Sequence, residues 1–273
     1  MSTHHGRDLH ADSRGHFMST MGFEYRMEGP QATGRVVIGP YLQAGRRWPG
    51  VAALLTFADV LIGQLASAQT YPRISVTADL GVTVFSPLPR DGIYEMTAEI
   101  LKTGRTMTVG ETRFYSTDGR LLATSVGTFV ASPRPTDEAP NGFPDTLTAR
   151  TTTEATAPSL TQQVGIELIE PGRAEITLRP DLFNATESLQ GGLVALLGEV
   201  AAASAATAHT GHASVVSGLQ VHYLAAARVG PFYTSTEVED TEQASRVRVE
   251  VRDPGRDDRL VSLILADTRP EPA

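Results

Sequence analysis

The chain has 273 residues, 41% hydrophobic and 20% charged, with a net charge of −8 and no cysteine. This composition describes a packed globular protein with room for two ordinary domains. The negative balance excludes nucleic acid or an anionic membrane as the main partner, and the absence of cysteine excludes disulfides, thiolate metal sites and a cysteine nucleophile.

Residues 1–20, MSTHHGRDLHADSRGHFMST, are polar and read as a disordered N-terminal arm. Its histidines, His4, His5, His10 and His16, have no carboxylate or histidine at a fixed helical spacing, so a solvated tail is expected and no metal site. A first domain is expected over 21–133. GFEYRMEGPQATGRVVIGP reads as strand, turn, strand. A long apolar helix follows from Trp48 to Gln69, with Pro49 in its first turn, where a missing N–H costs nothing. Asp59 and Gln64 inside it favour a buried core helix over a membrane span. ISVTADLGVTVFSP carries apolar and β-branched residues near every second position. Three more strands are expected in residues 92–132, punctuated by KTGR and by STDGR, where Asp118-Gly119 marks a hairpin turn. PRPTDEAPNGFPD is rich in proline and acids, and a linker is expected over 134–148.

The order then repeats, giving a second domain over 149–270. GIELIEPGRAEITLRP matches the first strand pair, SLQGGLVALLGEVAAASAATAH the helix, and HASVVSGLQVHYLAAARVGPFYTSTEVED the strands after it. Gly50 falls on Gln190 and Asp59 on Glu199, both 140 apart, and Leu80 falls on Leu219, 139 apart. So long a period indicates duplicated domains rather than a solenoid. A helix apolar around most of its circumference must be wrapped by sheet, which makes the fold class α+β: two tandem domains, each a long central helix wrapped by an antiparallel sheet.

This pattern resembles the hotdog fold, which implies that the two domains pack as a pseudo-dimer, and its motifs resemble the acyl-CoA thioesterases of the phenylacetate-pathway type. The second copy reads Asn184, then Gln190-Gly191-Gly192 six residues on, then Glu199 nine beyond Gln190. The likeness covers about 250 of the 273 residues, and VTVFSP and KTGRTMTVGETRFYSTDGRLLATSVGTF belong to it. It implies hydrolysis of an acyl-CoA or acyl carrier protein thioester, without metal or cofactor; the lack of disulfides and of a secretory signal makes the cytoplasm the expected location. No nucleic acid partner and no membrane span are expected, and two tandem chains could form a homodimer.

Thioester hydrolysis needs a base or nucleophile, donors for the developing oxyanion and a groove for the acyl chain. A helix start offers unpaired N–H groups, and glycines there admit a substrate oxygen. The resemblance implies a site shared across the seam, with the acid and a hydroxyl from one half and the asparagine and glycine-rich helix start from the other. One combination is nearly complete: Asp59 and Thr77 with Asn184, Gln190 and Gly191, Gly192 lying beside them. The other combines Glu199 and Val216 with Ala44, Gly50 and Val51, and lacks the hydroxyl, the amide and the glycine pair. A single composite site is therefore expected, in which Asp59 activates water, Thr77 steadies it, and the Gly191 N–H with Asn184 or Gln190 holds the thioester oxygen. Glu199 is then an inherited or structural acid.

The family's histidine is Gln190 here, which cannot titrate. That departure keeps open an alternative, a non-catalytic acyl-CoA or lipid-binding hotdog protein. Each site residue also has a plainer reading: Thr77 as an ordinary strand residue, Gly191-Gly192 as a close-packing pair, and Lys102 and Arg105 of KTGR as solvated charges rather than contacts to CoA phosphates. His209 and His212 lie past the helix, and His222 reads as a satisfied sheet residue. There is no Gly-x-Ser-x-Gly elbow, phosphate loop or dinucleotide fingerprint.

Overall fold

A computed structural model describes residues 17–44, 50–132, 146–148, 158–184, 186–240 and 245–271. The histidines of the N-terminal arm, Trp48, Pro49 and the proline-rich stretch 133–145 lie outside the described residues. The first half runs β1 (Phe23–Glu28), β2 (Gln31–Val37), α1 (Val51–Thr70), β3 (Ser75–Val84), β4 (Ile93–Thr103), β5 (Met107–Ser116) and β6 (Leu121–Ala131). After β7 (Thr146–Thr148) and a short helix α2 (Leu160–Val164), the second half repeats it: β8 (Ile166–Glu170), β9 (Arg173–Ile176), α3 (Gly191–Thr210), β10 (Ser214–Tyr223), β11 (Phe232–Asp240), β12 (Ser245–Asp253) and β13 (Arg259–Pro270).

Three segments differ from the sequence reading, and His209, read as lying past the helix, sits in the last turn of α3. Phe17–Thr20, placed in the polar arm, forms a 3-10 turn with Phe17 buried in the core. Its apolar Phe-Met pair has surface to bury, unlike the polar residues before it. Thr146–Thr148, placed in the linker, pairs antiparallel with β1. Helix α2 was not expected, although a capping box announces it: the Ser159 hydroxyl accepts the Gln162 N–H, and the Gln162 side chain accepts the Ser159 N–H.

All thirteen strands form one antiparallel sheet in the order β7-β1-β2-β4-β5-β6-β3-β10-β13-β12-β11-β9-β8. The two halves have the same internal order and meet at β3 and β10, so a pseudo-two-fold axis runs between these strands. Their register sets Gly81 against Gln220, residues that the repeat makes equivalent, and so locates the axis at that pair. The sheet curls around two core helices. Both are long and apolar enough by composition to cross a membrane, but most of each is buried here.

The N-terminal halves of α1 and α3 run antiparallel against each other, bringing Gly50 to Glu199, Thr56 to Gly192 and Asp59 to Gly191. The crossing is close. A Cβ on Gly192 would lie 2.0 Å from the Thr56 hydroxyl oxygen and 2.8 Å from its Cα. The close-packing reading of that glycine therefore holds at Gly192.

Candidate functional site

Thr77 and Leu80 are three residues apart and would face opposite sides of a regular strand. The β3–β6 register slips between Thr77 and Asp79, a bulge at Ala78 that turns both residues toward α1. β10 bulges at the equivalent place, between Val216 and Gly218, and points Val216 and Leu219 inward. The bulge aims the Thr77 hydroxyl at the side chain of α1 two turns from its start: Thr77 Oγ1 donates to Asp59 Oδ1 at 2.6 Å.

Asp59 also reaches across the seam. Its Oδ2 accepts the Gln190 Nε2–H at 3.1 Å. Gln190 is the N-cap of α3, and its Oε1 accepts the Leu193 N–H at 3.2 Å. A Cβ on Gly191 would sit 3.1 Å from Asp59 Oδ2 and 3.1 Å from the Tyr223 hydroxyl oxygen, so a glycine there lets both approach the helix start. Asp59, Thr77, Gln190 and Gly191 thus come together from both halves. Burial pushes the Asp59 carboxyl up to about 6, against the Thr77 hydrogen bond that pulls it down. Asp59 and Thr77 are half-buried, so the cluster keeps a solvent-reachable side.

Asn184 is engaged differently. Its Oδ1 accepts the Thr186 and Ser188 N–H groups and both their hydroxyls, folding the loop before α3 into an Asx-type turn. Its carbonyl oxygen is therefore committed to shaping the approach to Gln190. Lys102 and Arg105 are exposed on and just beyond the end of β4, with no ion pair among the described residues. Thr77, Phe129, Thr108 and Thr103 lie in one row across β3, β6, β5 and β4, which separates that hairpin from Thr77 by three strand spacings, about 14 Å.

Glu199, the counterpart of Asp59, is in a different state. It is 6% exposed and its two oxygens accept the Val51 and Ala52 N–H groups at 2.9 and 2.8 Å, capping α1. Burial pushes its carboxyl up to about 7, and these two hydrogen bonds oppose that. It answers a structural need across the seam.

Tyr223 belongs to the cluster but carries no sequence motif. Its hydroxyl donates to the Gly191 carbonyl at 2.9 Å, and burial, then the charges of Asp59 and Asp79, raise its pKa well above the usual phenol value. The repeat offered one signal for it: the equivalent residue of the first half is Val84, so Tyr223 is another asymmetry at the seam. His222 faces the other side of β10 and its Nδ1 lies 2.5 Å from Asp79 Oδ2, with Gln220 also bonded to Asp79. These three tie β3 to β10.

Both halves resemble known families. Residues 9–130 match the family model for the acyl-CoA thioesterase C-terminal domain, and residues 188–258 match that for the thioesterase superfamily. Among solved structures, the tesB protein of Mycobacterium avium subspecies paratuberculosis is 16% identical, with a TM-score of 0.64 over 94% of this chain and 98% of that one. The 12:0-ACP thioesterase of Umbellularia californica is 12% identical, with a TM-score of 0.60 over 90% and 99%. A hot dog fold protein of Alicyclobacillus acidocaldarius is 13% identical, with a TM-score of 0.58 over 94% and 98%. At these identities the structural likeness establishes the fold. No curated protein sequence matches the chain.

Proposed function

We propose, from the premise that this chain belongs to the hotdog-fold thioesterases and is a thioester hydrolase, that it cleaves acyl thioesters at one composite site between its halves. The observation that carries this reading is the Asp59 carboxyl, raised to about 6, held by Thr77 of its own half and by Gln190 at the α3 start of the other. At neutral pH such a carboxyl is mostly ionised and can serve as a general base.

In the proposed reaction the thioester oxygen lies at the start of α3, where the Gly191 N–H and the second hydrogen of the Gln190 amide meet the developing charge, aided by the positive end of the helix. Asp59 takes a proton from water as the water oxygen bonds to the thioester carbon. The tetrahedral intermediate then expels the thiolate, which recovers that proton from Asp59. Thr77, donating to Asp59 Oδ1, has lone pairs left to steady the water. Asn184 shapes the loop that presents Gln190. The carrier is CoA or acyl carrier protein; Lys102 and Arg105, about 14 Å away by strand spacing, are within the span of an extended pantetheine arm and are the candidates for its phosphates.

The test is thiol release from a panel of acyl-CoAs. Asp59→Asn should lower kcat by ~10²–10⁴, and Glu199→Gln by far less. The reverse ranking would falsify the assignment. The absent histidine at Gln190 is what favours a second reading, a non-catalytic binder of acyl-CoA or lipid. Calorimetric binding of acyl-CoA with no thiol release would establish it in place of the first.

A further inference from the structure

Asp59 and Glu199 stand at equivalent places on α1 and α3, each facing the start of the other helix, and they differ by one methylene. Glu199 spans the gap. Its two oxygens lie on the Val51 and Ala52 N–H groups, and it is sealed from solvent. The α1 start is tightly filled: a Cβ on Gly50 would meet Glu199 Oε2 at 2.9 Å and the Ala44 Cβ at 2.7 Å. Asp59 stops short. Its oxygens are held by Thr77 and Gln190, it remains half-buried, and neither the Gly191 nor the Gly192 N–H is taken by a side chain among the described residues.

A carboxylate lying across two helix-start N–H groups occupies the position that a thioester oxygen would need. We infer that carboxylate length decides which of the two helix starts can take a substrate: Glu199 is an internal plug at α1, and the shorter Asp59 leaves the start of α3 open. One methylene changes the reach by about 1.5 Å, enough to separate a carboxylate that faces the helix start from one that sits on it. The inference rests on the reading of the α3 start as the thioester site, and it adds that a base at position 59 must also be short. It also accounts for an acid at position 199 in the half that has Val216 in place of a hydroxyl: the two buried α1 N–H groups need an acceptor.

The test is Asp59→Glu, which keeps the carboxylate and adds the methylene. Its crystal structure should show the new carboxylate on the Gly191 and Gly192 N–H groups. A 2-oxoalkyl-CoA, a ketone isostere of the thioester that cannot be hydrolysed, should bind it at least tenfold more weakly than wild type. Undiminished binding by Asp59→Glu, or a glutamate lying clear of both N–H groups, would overturn the inference. Should Asp59→Glu not fold, Glu199→Asp carries the same test: amide exchange at Val51 and Ala52 should accelerate at least tenfold, and unchanged protection would overturn the plug. If wild type neither binds the ketone nor releases thiol, the thioesterase reading fails, and the position of the Asp59→Glu carboxylate still decides the question of length.

Discussion

Thr77→Val removes one hydroxyl and keeps the branched shape, so it isolates the 2.6 Å hydrogen bond to Asp59. Burial raises the Asp59 carboxyl to about 6 and this bond is what opposes the rise. A hydrogen bond to a charged group contributes ~1.5–3 kcal/mol, and one pH unit corresponds to ~1.4 kcal/mol, so the activity midpoint should move up by about 1–2 pH units. Well below the midpoint, kcat/KM should fall about 10–100-fold, while at pH 9 the two proteins should converge apart from any loss of the positioned water. Thiol release measured from pH 5 to 9 reads both effects. A variant whose profile is lowered equally at every pH, with the midpoint unmoved, would refute the claim that Thr77 acts through the ionisation of Asp59. Stability should change in the same sense. The Asp59 pKa in the fold lies above the unfolded value of 3.8. Its contribution is therefore fully present below about pH 4 and lost as pH rises through about 6, and Thr77→Val should deepen that loss.

Two further variants probe the frame. Gly192→Ala places a Cβ 2.0 Å from the Thr56 hydroxyl and 2.8 Å from its Cα; the helices must part, at a cost of ~1–3 kcal/mol in thermal unfolding. Adding Thr56→Ala should restore only part of this, because the clash with the backbone at residue 56 persists; full restoration would contradict the backbone clash. Asp253 is fully buried and accepts the Val229 and Gly230 N–H groups at 3.3 and 2.9 Å. Asp253→Ala should therefore cost ~2–3 kcal/mol, and a melting temperature within a degree of wild type would show that water or other groups replace it.

The repeat was legible because each half carries its own period: alternation in the strands, an apolar helix circumference, and turn residues between. The proximity of Asp59 to Gln190 and Gly191 followed from that repeat together with a family likeness, since equivalent helices packed about an axis bring the body of one to the start of the other. The bulge at Ala78 was not legible, because it exists only in the pairing of β3 with β6, strands that lie far apart in the chain and that local patterns do not connect. Tyr223 was hidden for the same reason: its partner is a backbone carbonyl on another element. The commitment of Asn184 to Thr186 and Ser188 was readable as an Asx turn, but the family likeness pointed to substrate instead. Glu199 could be recognised as a buried acid, while its partners, two N–H groups of the other half, required the assembled seam.

The pairing of Gly81 with Gln220 bears on how the chain can change. At that place an assembly of two identical halves would set a residue opposite itself. A second glutamine there would push the Gln220 amide aside, since a Cβ on Gly81 would meet its Oε1, and two glycines would lose the bond from Gln220 to Asp79. In a single chain the two positions need not mirror one another, and here a glycine on one strand makes room for the glutamine on the other. A half paired with its own copy would therefore hold this point of the sheet differently: either without the Gln220–Asp79 tie or with that amide turned elsewhere.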